Sequence, residues 1–442
     1  MYKPPLFRRV LPWIYALVFV IVAPILLFYT AGYRYNLKKR LIERNGALIV
    51  DGTPKDALIF LDGIDTGKTT PYTFQHVTPG WHTVRVEKQG YSQWEKRLDI
   101  RSEEVTFAND IHLWSREPAT LVSPNMFARL ETDPHDTVLA VLEVQDDTMR
   151  SGVWNPRTQT FQLSAIATST IPLPTRAPIR WNTEGTSFVL NGIAANQPTY
   201  WTTTDPTPHT DQLPNGIYTW SESYTLIGST DHAMIRLQAR NNRFTREQLP
   251  PPYVFRNQDI SFQQTTSVPE TLLLTKSSLQ DRVYQLTNPA LRLVDRFDDL
   301  LILKDISSQN WLALTLTQSP PYAGDVQGDY PRWFKDPITP NRRRALLIHG
   351  GEVWLWEPGQ STTLLWRQAE DMRQAAWDPD GAHVILADAE HVFALDLDDR
   401  DGRIVTPLAT FQDIRDIALL RKTLYISGTQ EERTGVFTLS LE

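Results

Sequence analysis

Three parts of the sequence hold residue types and spacings that could do chemistry, and the first lies near the amino terminus. Residues 63–69 read GIDTGKT and look like a phosphate-binding loop. A Walker A loop needs four residues between its two glycines and a helix after its lysine. Here three residues separate Gly63 from Gly67, and Thr70 and Pro71 follow without a helical pattern. We therefore expect a hairpin turn at this place and no nucleotide site.

A run of acidic residues near the carboxyl terminus resembles a calcium loop. Asp396, Asp398 and Asp401 precede Gly402, and carboxylate oxygens are the ligands that calcium prefers. Arg400, however, stands where an EF-type loop needs its third oxygen donor. An acidic turn between two strands is the alternative. Asp396, Asp398 and Asp401 are therefore only weak metal candidates.

The third group consists of nine histidines scattered along the chain. No two of them have the His-x-x-x-His spacing of a zinc site, and no Gly-x-Ser-x-Gly motif offers a serine nucleophile. The absence of cysteine rules out disulfides, Cys-ligated zinc, iron–sulfur clusters and a thiol nucleophile. We therefore expect no catalytic residue, no cofactor and no essential metal.

The first 45 residues differ in charge from the rest of the chain. They hold eight basic residues and one acidic residue, whereas the remainder holds 36 basic and 50 acidic residues. Between Arg9 and Arg34 no residue is charged, and about 20 such residues can cross a bilayer as a helix. We expect a short cytoplasmic segment at 1–9, a transmembrane helix at 10–33 and a juxtamembrane stalk at 34–45, in which the helix can continue.

The orientation of this segment is not fixed by its flanking charges, since the basic residues on its two sides are nearly balanced. The nine-residue segment before it is too short to be a domain, which favours a single-pass protein of the cell membrane with an extracytoplasmic body. A buried helix of a soluble protein and a cleaved signal peptide are the alternatives. The acidic body argues against nucleic acid as a partner, because phosphate neutralisation provides most of that affinity.

Residues 46–114 follow the period-two pattern of short strands separated by turns, which predicts a small β-sandwich of five or six strands. Their glycines, prolines and aromatic residues resemble the PEGA domain, in which a Pro-Glu-Gly-Ala segment leads into a strand that ends in Asp-Gly. Lys55 and Asp56 depart from that segment. The structural residues that carry the resemblance are Pro54, Ala57, Asp62, Gly63, Gly67, Pro71, Gly80, Gly90 and Tyr91. The resemblance implies a bacterial or archaeal extracytoplasmic protein, contacts at the surface or envelope, and no catalytic residues.

Residues 118–442 show no long helical period, and a hydrophobic pair recurs along them. From Trp154 to Phe437 there are eight such pairs in 283 residues, or about 40 residues per step. A repeat of about 40–45 residues with several strands per unit is typical of a β-propeller. Counting these pairs predicts eight blades. The unit at Trp311 is short, so seven blades are the second possibility. Two stacked β-sandwiches are the alternative fold. We expect residues 119–122 to close the ring against the last unit.

Two turns within this repeat resemble the Trp-Ser-Pro-Asp-Gly turns of TolB-like propellers. One contains Trp181 and Gly185, and the other contains Trp377, Asp380 and Gly381. Glycine takes the positive-φ position of such a turn, and proline fixes φ. Most tryptophans lie in alternating strands, where we expect them to form the core between blades.

These features predict a mainly β chain with an N-terminal transmembrane helix, a PEGA-like β-sandwich and a seven- or eight-bladed β-propeller. We expect a membrane-anchored, non-enzymatic cell-envelope protein whose two modules bind an unknown protein or envelope glycan. The alternative is an extracytoplasmic propeller enzyme that acts on glycans. Exposed, convergent acids in the axial funnel of the propeller favour the enzyme, whereas a flat neutral face favours the binding protein.

Overall fold

The computed structural model describes residues 6–30, 33–36, 41–145, 148–168, 179–191, 343–357 and 362–442, and between residues 199 and 335 it describes the strands given below together with Leu213 and Tyr224. The chain divides into two compact units. The first comprises Met1–Glu117, Asp398–Thr406 and Glu442, and the second comprises Pro118–Leu397 and Pro407–Leu441.

The amino-terminal part of the first unit contains helix α1 (Leu6–Thr30), which covers most of the uncharged run. Many of its described side chains are exposed, among them Trp13, Phe19 and Leu27. In the part of the chain that the structure describes, no helix combines the length and the apolar character needed to cross a membrane. The transmembrane helix predicted at 10–33 is therefore not supported.

The stalk predicted at 34–45 also differs from the expected helical continuation. Strands β1 (Tyr33–Asn36) and β2 (Leu41–Arg44) pair antiparallel in its place. The helical expectation depended on two leucines four residues apart, which is a weak signal, whereas aromatic residues at alternate positions suit a strand. The basic residues predicted to follow the span, Lys38, Lys39 and Arg40, lie outside the described residues.

Seven further strands of the first unit form two sheets. They are β3 (Gly46–Thr53), β4 (Leu58–Leu61), β5 (Ile64–Thr69), β6 (Tyr72–Val77), β7 (Gly80–Glu87), β8 (Trp94–Ile100) and β9 (Val105–His112). One sheet has the order β6-β3-β9, with β3 and β9 parallel, and the other has the order β5-β4-β7-β8. One core cluster takes side chains from both sheets, including Leu48, Ile59 and Val84. The module is thus a β-sandwich, with seven strands where five or six were predicted.

The motif residues Asp62 and Gly63 form the turn between β4 and β5. Both have positive φ, 52° and 78°, which is the type I′ geometry of a two-residue hairpin. Leu61 pairs with Ile64 across this turn, and the Asp62 carboxylate accepts a hydrogen bond of 3.0 Å from the backbone N–H of Thr83. The Walker-like segment is therefore a hairpin turn and a strand, as predicted, with no helix after it.

The chain turns at Thr70, directly before Pro71, which is one of the residues that carry the PEGA resemblance. Thr70 is buried, and its backbone N–H donates to the carbonyl of Ala57 at 2.9 Å. Its hydroxyl oxygen accepts a hydrogen bond from the N–H of Ala57, and Tyr91 forms a β-bridge with Ser115 at the end of the module. The remaining motif residues lie at strand ends and bends: Pro54 after β3, Gly67 within β5, Gly80 at the start of β7 and Gly90 after β7.

The segment Asp398–Thr406, which the predicted boundary at 118 assigns to the propeller, belongs to the first unit. Lys96 in β8 is 1% exposed. Its ammonium group donates to the backbone oxygen of Asp398 and lies 3.3 Å from the carboxylate of that residue. Burial alone raises the pKa of the Asp398 carboxyl, but hydrogen bonds from Arg400 and the positive charges of Lys96 and Arg400 outweigh it and hold the pKa below its ordinary value.

Two further sets of hydrogen bonds bind this acidic segment to the strands of its own unit. The Asp401 carboxylate accepts a hydrogen bond of 2.8 Å from the backbone N–H of Arg97. Arg400, besides pairing with Asp398, donates to the carbonyl of Phe107 at 2.8 Å. The acidic segment is therefore bound to β8 and β9 through cations and N–H groups of its own unit.

The second unit contains eight small sheets among the described residues. Its strands are β10 (Thr120–Ser123), β11 (Arg129–Thr132), β12 (Leu139–Gln145), β13 (Thr148–Asn155), β14 (Thr160–Thr168), β15 (Ile179–Trp181), β16 (Ser187–Leu190), β17 (Thr199–Thr202), β18 (Asp205–His209), β19 (Ile217–Glu222), β20 (Thr225–Ser229), β21 (Met234–Arg240), β22 (Arg243–Leu249), β23 (Tyr253–Arg256), β24 (Leu273–Lys276), β25 (Arg282–Leu286), β26 (Leu291–Phe297), β27 (Leu300–Asp305), β28 (Trp311–Thr315), β29 (Ala323–Val326), β30 (Asp329–Lys335), β31 (Arg343–His349), β32 (Glu352–Trp356), β33 (Thr363–Arg367), β34 (Gln374–Trp377), β35 (His383–Ala387), β36 (His391–Asp396), β37 (Val405–Thr410), β38 (Asp413–Leu420), β39 (Thr423–Gln430) and β40 (Arg433–Ser440).

These sheets follow one another along the chain. In order they are β11–β14, β15–β18, β19–β22, β23–β25, β26–β29, β30–β33, β34–β37 and β38–β40. Strand β10 pairs antiparallel with β40, so the first strand of the unit lies in the same sheet as the last three. The closing role predicted for residues 119–122 is confirmed, because this pairing joins the two ends of the repeat.

The recurring hydrophobic pairs fall in the third strand, in chain order, of all eight sheets. Where their side chains are described they are mostly buried, as for Trp154, Trp201, Trp356 and Phe437. Eight consecutive antiparallel sheets correspond to the predicted β-propeller with eight blades. Among the described third-strand side chains, Trp154 and Trp201 pack in clusters that take residues from two neighbouring sheets, as predicted.

Removal of the Asp398 carboxylate should destabilise the first unit. We expect Asp398→Ala to lower the free energy of unfolding by about 1–3 kcal/mol at neutral pH, because the buried Lys96 ammonium loses its counter-ion. The difference from wild type should shrink as the pH falls through the lowered pKa of Asp398, since protonation removes the same charge. Denaturant unfolding of the full chain measures it.

Asp399→Ala is the matched control for this substitution. Its side chain is 76% exposed and lies 3.9 Å from Arg403, so we expect a change below about 0.5 kcal/mol. Equal losses in the two variants would contradict the role assigned to Asp398.

Candidate functional site

A cavity of about 530 Å³ lies among the first strands of five sheets in the second unit. Its walls come from β11, β15, β30, β34 and β38 and from the turns that follow some of them. The blades of a propeller surround a central channel, and the volume lies within the ~300–1,000 Å³ range of ligand pockets. This cavity is the candidate functional site.

One turn occurs three times at the cavity, after β11, β15 and β34. In each copy the fourth residue has positive φ, and its N–H donates to the carbonyl of the first residue. The first residues are Asp133, Asn182 and Asp378, and the fourth residues are Asp136, Gly185 and Gly381, with φ of 52°, 63° and 67°. The second and third copies are the two turns that resemble those of TolB-like propellers.

The first copy was missed in the sequence, because Thr132 replaces the tryptophan and Asp136 replaces the glycine. The pair Asp133-Pro134, which matches Asp378-Pro379 of the third copy, was the signal that could have found it. A left-handed conformation is uncommon for residues other than glycine and occurs often at functional sites. Two described residues that line the cavity share this property, Asp136 with φ of 52° and Arg421 with φ of 59°.

The electrostatic surroundings of Asp136 favour its protonated form. Burial raises the pKa of the Asp136 carboxyl above its ordinary value, and the nearby Asp133 carboxylate raises it further. The positive charges of Arg421 and His135 act in the opposite direction and are the smaller effects. Asp136 is thus an acid with a perturbed pKa at a cavity, which is a common property of functional residues.

Hydrogen bonds from tryptophans join the first strands of neighbouring sheets. The indole N–H of Trp181 donates to the carbonyl of Glu131 at 3.2 Å, that of Trp220 to Arg180 at 2.8 Å, and that of Trp377 to Arg332 at 2.8 Å. Each acceptor belongs to the first strand of the preceding sheet. Glu131, Arg180 and Arg332 hence occupy equivalent positions, and all three line the cavity.

The carboxylate of Asp416 is the centre of a second set of contacts. It is fully buried, and it accepts hydrogen bonds of 2.9 Å from the backbone N–H of Leu130 and from the side-chain amide of Gln374. The guanidinium of Arg129 lies 3.9 Å away. Burial raises the pKa of the Asp416 carboxyl above its ordinary value, although Arg129 and these hydrogen bonds act to lower it.

This network extends from Asp416 to the cavity. The side-chain oxygen of Gln374 accepts a hydrogen bond of 3.1 Å from Nε of Arg332, and the guanidinium of Arg332 forms an ion pair with Glu131. The contacts thus connect β38, β34, β30 and β11, which are the first strands of four sheets. The positions of Arg332 and Glu131 are therefore fixed by a buried polar network.

Behind one wall of the cavity, aromatic rings pack on a buried cation. The ring centroids of Phe334 and Trp377 are 5.1 Å apart, and the guanidinium of Arg344 lies 4.8 and 4.9 Å from them. A Cβ at Gly381 would come within 2.4 Å of Phe334 and 2.5 Å of Arg344. Glycine is therefore required here by space as well as by its φ of 67°.

The acidic residues considered in the sequence have protein partners. The Asp380 carboxylate accepts hydrogen bonds from the N–H groups of Ala382 and His383 and lies 2.7 Å from Nδ1 of His383. Asp396 is buried at the end of β36, opposite His383 in the register. Asp398 and Asp401, in the first unit, bind the cations and N–H groups described above. The segment between β36 and β37 thus holds Asp398 and Asp401 with carboxylates that contact protein groups.

Loss of the Asp416 carboxylate should destabilise the second unit strongly. We expect Asp416→Ala to lower the free energy of unfolding by about 3 kcal/mol, because the N–H of Leu130, the amide of Gln374 and the Arg129 guanidinium lose their acceptor. Urea unfolding followed by tryptophan fluorescence measures it. The control Asp413→Ala, on the same strand but paired with the exposed Arg415, should cost less than about 0.5 kcal/mol.

The destabilisation caused by Asp416→Ala should depend on pH, and it should be greater at low pH. Since the folded pKa of Asp416 is raised, its stabilising contribution is fully present below the ordinary pKa and is lost as the pH rises through the folded pKa. The stability difference between wild type and Asp416→Ala should therefore be larger near pH 4 than near pH 8. A difference that grows with pH would contradict the assignment.

Comparison with known proteins identifies one of the two modules. Residues 45–113 match the PEGA domain, which confirms the resemblance found in the sequence. A comparison with curated protein sequences finds no match.

Three solved structures are similar to this chain at low sequence identity. Kuenenia stuttgartiensis hydrazine synthase is 12% identical, with a TM-score of 0.44, and the match covers 72% of this chain and 97% of that one. A crystal structure of the mitotic checkpoint complex is 11% identical, with a TM-score of 0.43 and coverage of 74% and 93%. The β-propeller domain of Myceliophteria thermophila Cps50 (Swd1) is 11% identical, with a TM-score of 0.41 and coverage of 74% and 100%.

These similarities are too distant to carry an argument. The chain thus combines a PEGA domain at residues 45–113 with a β-propeller.

Proposed function

We propose that this protein is a non-enzymatic binding protein of the cell envelope, attached to the membrane by its amino-terminal segment. The propeller binds a protein or an envelope glycan through the cavity among its first strands, and the PEGA domain provides further contacts outside the cytoplasm. The observation that carries this proposal is the cavity itself: indole hydrogen bonds fix the backbone at Glu131 and Arg332, and the guanidinium of Arg332 is held by the amide oxygen of Gln374 and by Glu131. Preorganised groups of this kind suit recognition, because little side-chain entropy is lost on binding.

The proposed membrane attachment is supported by the uncharged run in the sequence and by the exposed apolar side chains of α1. The run between Arg9 and Arg34 has no charged residue, and large apolar side chains of α1 such as Trp13 and Phe19 are exposed. A contiguous set of exposed apolar side chains indicates a partner such as a membrane. A single pass with the body outside the cytoplasm is the arrangement that we propose.

The attachment can be tested by fractionation. The full chain should sediment with membranes, whereas a chain that begins at Gly46 should remain in the soluble fraction without detergent. Protease added to intact cells should degrade the residues beyond about 45. Protection from protease until the cells are lysed would contradict the proposed orientation.

The alternative function, an enzyme that acts on glycans, is favoured by one observation. Glu131 and Asp136 both line the cavity, and a carboxyl with a raised pKa such as Asp136 can serve as a general acid. The ion pair between Glu131 and Arg332 stands against it, because a carboxylate bound to a guanidinium is a weaker base or nucleophile.

One experiment tests binding and separates the two functions. The full chain, immobilised in detergent, is exposed to soluble fragments of envelope polysaccharides and to envelope proteins, and the length of each retained glycan is measured after long incubation. We expect retention without shortening, and a loss of about tenfold or more in affinity for Arg180→Gln, which removes a charged hydrogen-bond donor from the cavity. Arg415→Gln, on an exposed side chain outside the cavity, is the control and should bind as wild type.

Two results would decide against the proposal. Equal retention by wild type and Arg180→Gln would place the binding site outside the cavity. Shortening of the glycan that is abolished by Asp136→Asn would show that the alternative enzymatic function is correct.

A further inference from the structure

The PEGA domain exposes five large apolar side chains, and most of them lie towards one end of its sandwich. They are Leu58, Ile64, Trp81, Val105 and Phe107, of which Ile64 is 70% exposed and Trp81 is 58% exposed. Single exposed apolar side chains are common on soluble proteins. Their shared position, and not their exposure alone, is therefore the informative feature.

The strand register defines this end. Strands β3 and β9 are parallel and begin together, with Ala47 opposite Val105, and Gly80 at the start of β7 pairs with Ile100 at the end of β8. The turn between β4 and β5 lies beside them, because the carboxylate of Asp62 is 2.7 Å from the Nδ1 atom of His82 in β7. We call this region, which comprises residues 45–47, 62–65, 78–82 and 97–105, the helix-side end.

Trp81 and Val105 lie at the helix-side end on opposite outer faces of the sandwich. Trp81 is the second residue of β7, and Val105 is the first residue of β9. Val84 and Ala108 of the same strands are buried in the core, and side chains alternate along a strand. Trp81 and Val105 therefore point outward, and Phe107 follows on the same face as Val105.

Ile64 is the third apolar residue of the helix-side end. It directly follows the turn at Asp62 and Gly63. Leu58, in contrast, pairs with Glu87 in the last position of β7 and so lies at the opposite end of the sandwich. These two residues of one hairpin thus mark the two ends.

The apolar helix α1 ends close to the helix-side end. Tyr33 pairs with Arg44 in the hairpin of β1 and β2, and Thr30, the last residue of α1, precedes Tyr33 by three residues, which span at most about 11 Å. The carbonyl of Arg44 accepts a hydrogen bond of 2.8 Å from the hydroxyl of Ser102, between β8 and β9. A bilayer that holds α1 is therefore within reach of the helix-side end.

The charges near this end almost balance. Residues 33–44 hold five basic residues and one acidic residue, and the helix-side end holds two arginines and five acidic residues. The neighbouring segment adds Arg400 and Asp401. Four of the five acidic residues have a basic partner within 4 Å, in the pairs Asp62–His82, Asp99–Arg101, Glu103–Arg44 and Glu104–Arg101. No large excess of either sign is present, so the apolar side chains decide what this end contacts.

The arrangement of these side chains fits a bilayer better than a protein partner. Protein interfaces centre on a cluster of neighbouring anchor residues, whereas Ile64, Trp81 and Val105 stand apart on different sides of the same end. A bilayer surface accepts separate side chains at once, and tryptophan is enriched at the membrane–water interface. The guanidinium of Arg97 lies 5.0 Å from the centre of the Trp81 ring, which places a cation beside it for a lipid phosphate.

We propose that the helix-side end of the PEGA domain contacts the lipid bilayer beside α1, with Ile64, Trp81 and Val105 inserted among the lipid headgroups. This proposal rests on the membrane attachment of the proposed function and names the lipid surface as a partner of the PEGA domain. Three side chains bind a membrane only weakly by themselves, and α1 supports the contact by holding the domain at the surface. A chain that begins at Gly46 therefore still remains in the soluble fraction.

A fluorescent label at position 64 tests the contact. The chain has no cysteine, so Ile64→Cys provides a single site for an environment-sensitive dye in the full chain, reconstituted in phosphatidylcholine vesicles without other proteins. We expect emission at a shorter wavelength than in detergent-free water, and quenching by lipids that carry a nitroxide close to the headgroup. Leu58→Cys, at the opposite end, is the matched control and should show neither change.

Two further measurements use the label at position 64. Trp81→Ser should lower the ratio of inserted to free label by about tenfold, because the largest apolar side chain of the contact is lost, whereas Leu58→Ser should leave the ratio unchanged. High salt, or the addition of phosphatidylglycerol to the vesicles, should change the ratio little, since the charges almost balance. Equal melting temperatures show that the variants are folded.

The outcomes that would overturn this inference differ from those that would overturn the membrane attachment. If the chain sediments with the vesicles but the label at position 64 stays as exposed to water as the label at position 58, the attachment survives and the inference fails. Equal quenching at the two positions, or a change at position 64 only after envelope proteins are added, would also contradict it. If the chain does not sediment with the vesicles, both the attachment and the inference fail.

Discussion

The cavity depends on one buried carboxylate, that of Asp416. A buried carboxyl is costly unless its oxygens are hydrogen-bonded, and those of Asp416 accept hydrogen bonds from the Leu130 N–H and the Gln374 amide, with the Arg129 guanidinium 3.9 Å away. These partners lie on two sheets, and Asp416 itself lies on a third. The contacts of one buried carboxyl therefore fix the relative positions of three first strands, and through Gln374 they fix Arg332 on a fourth.

The same scaffold positions carry different chemistry from sheet to sheet. The residue whose carbonyl accepts an indole N–H is glutamate in the first sheet and arginine in the second and sixth. The residue at positive φ is aspartate after β11 and glycine in the other two copies of the turn. The backbone positions therefore repeat, whereas the charges that they place at the cavity differ from sheet to sheet.

Much of the fold could be predicted from the sequence, since it depends on local patterns. The turn at Asp62-Gly63, the recurring pair typified by Val153-Trp154 and the closing strand near Thr120 all follow from periodicity and turn chemistry. The helical stalk was wrong because two apolar residues are a weak signal. The transmembrane helix predicted at 10–33 is not supported in the described residues.

The candidate site could be predicted only in part. Trp181 and Trp377 were identified as turn residues, but their indole bonds to Glu131 and Arg332 join residues 50 and 45 positions apart. The ion pair of Arg332 with Glu131 spans 201 positions. No local pattern marks such contacts, because they follow from the closure of the repeat. Likewise Lys96 and Asp398 meet only because a segment 302 positions away packs on β8.

A crystal structure of the full chain grown with a glycan or protein fragment that the binding experiment retains tests the central claim most directly. The account predicts electron density for the ligand in the cavity, in contact with side chains of the first strands. An occupied ligand site elsewhere on the protein, with the cavity holding only water, would contradict it.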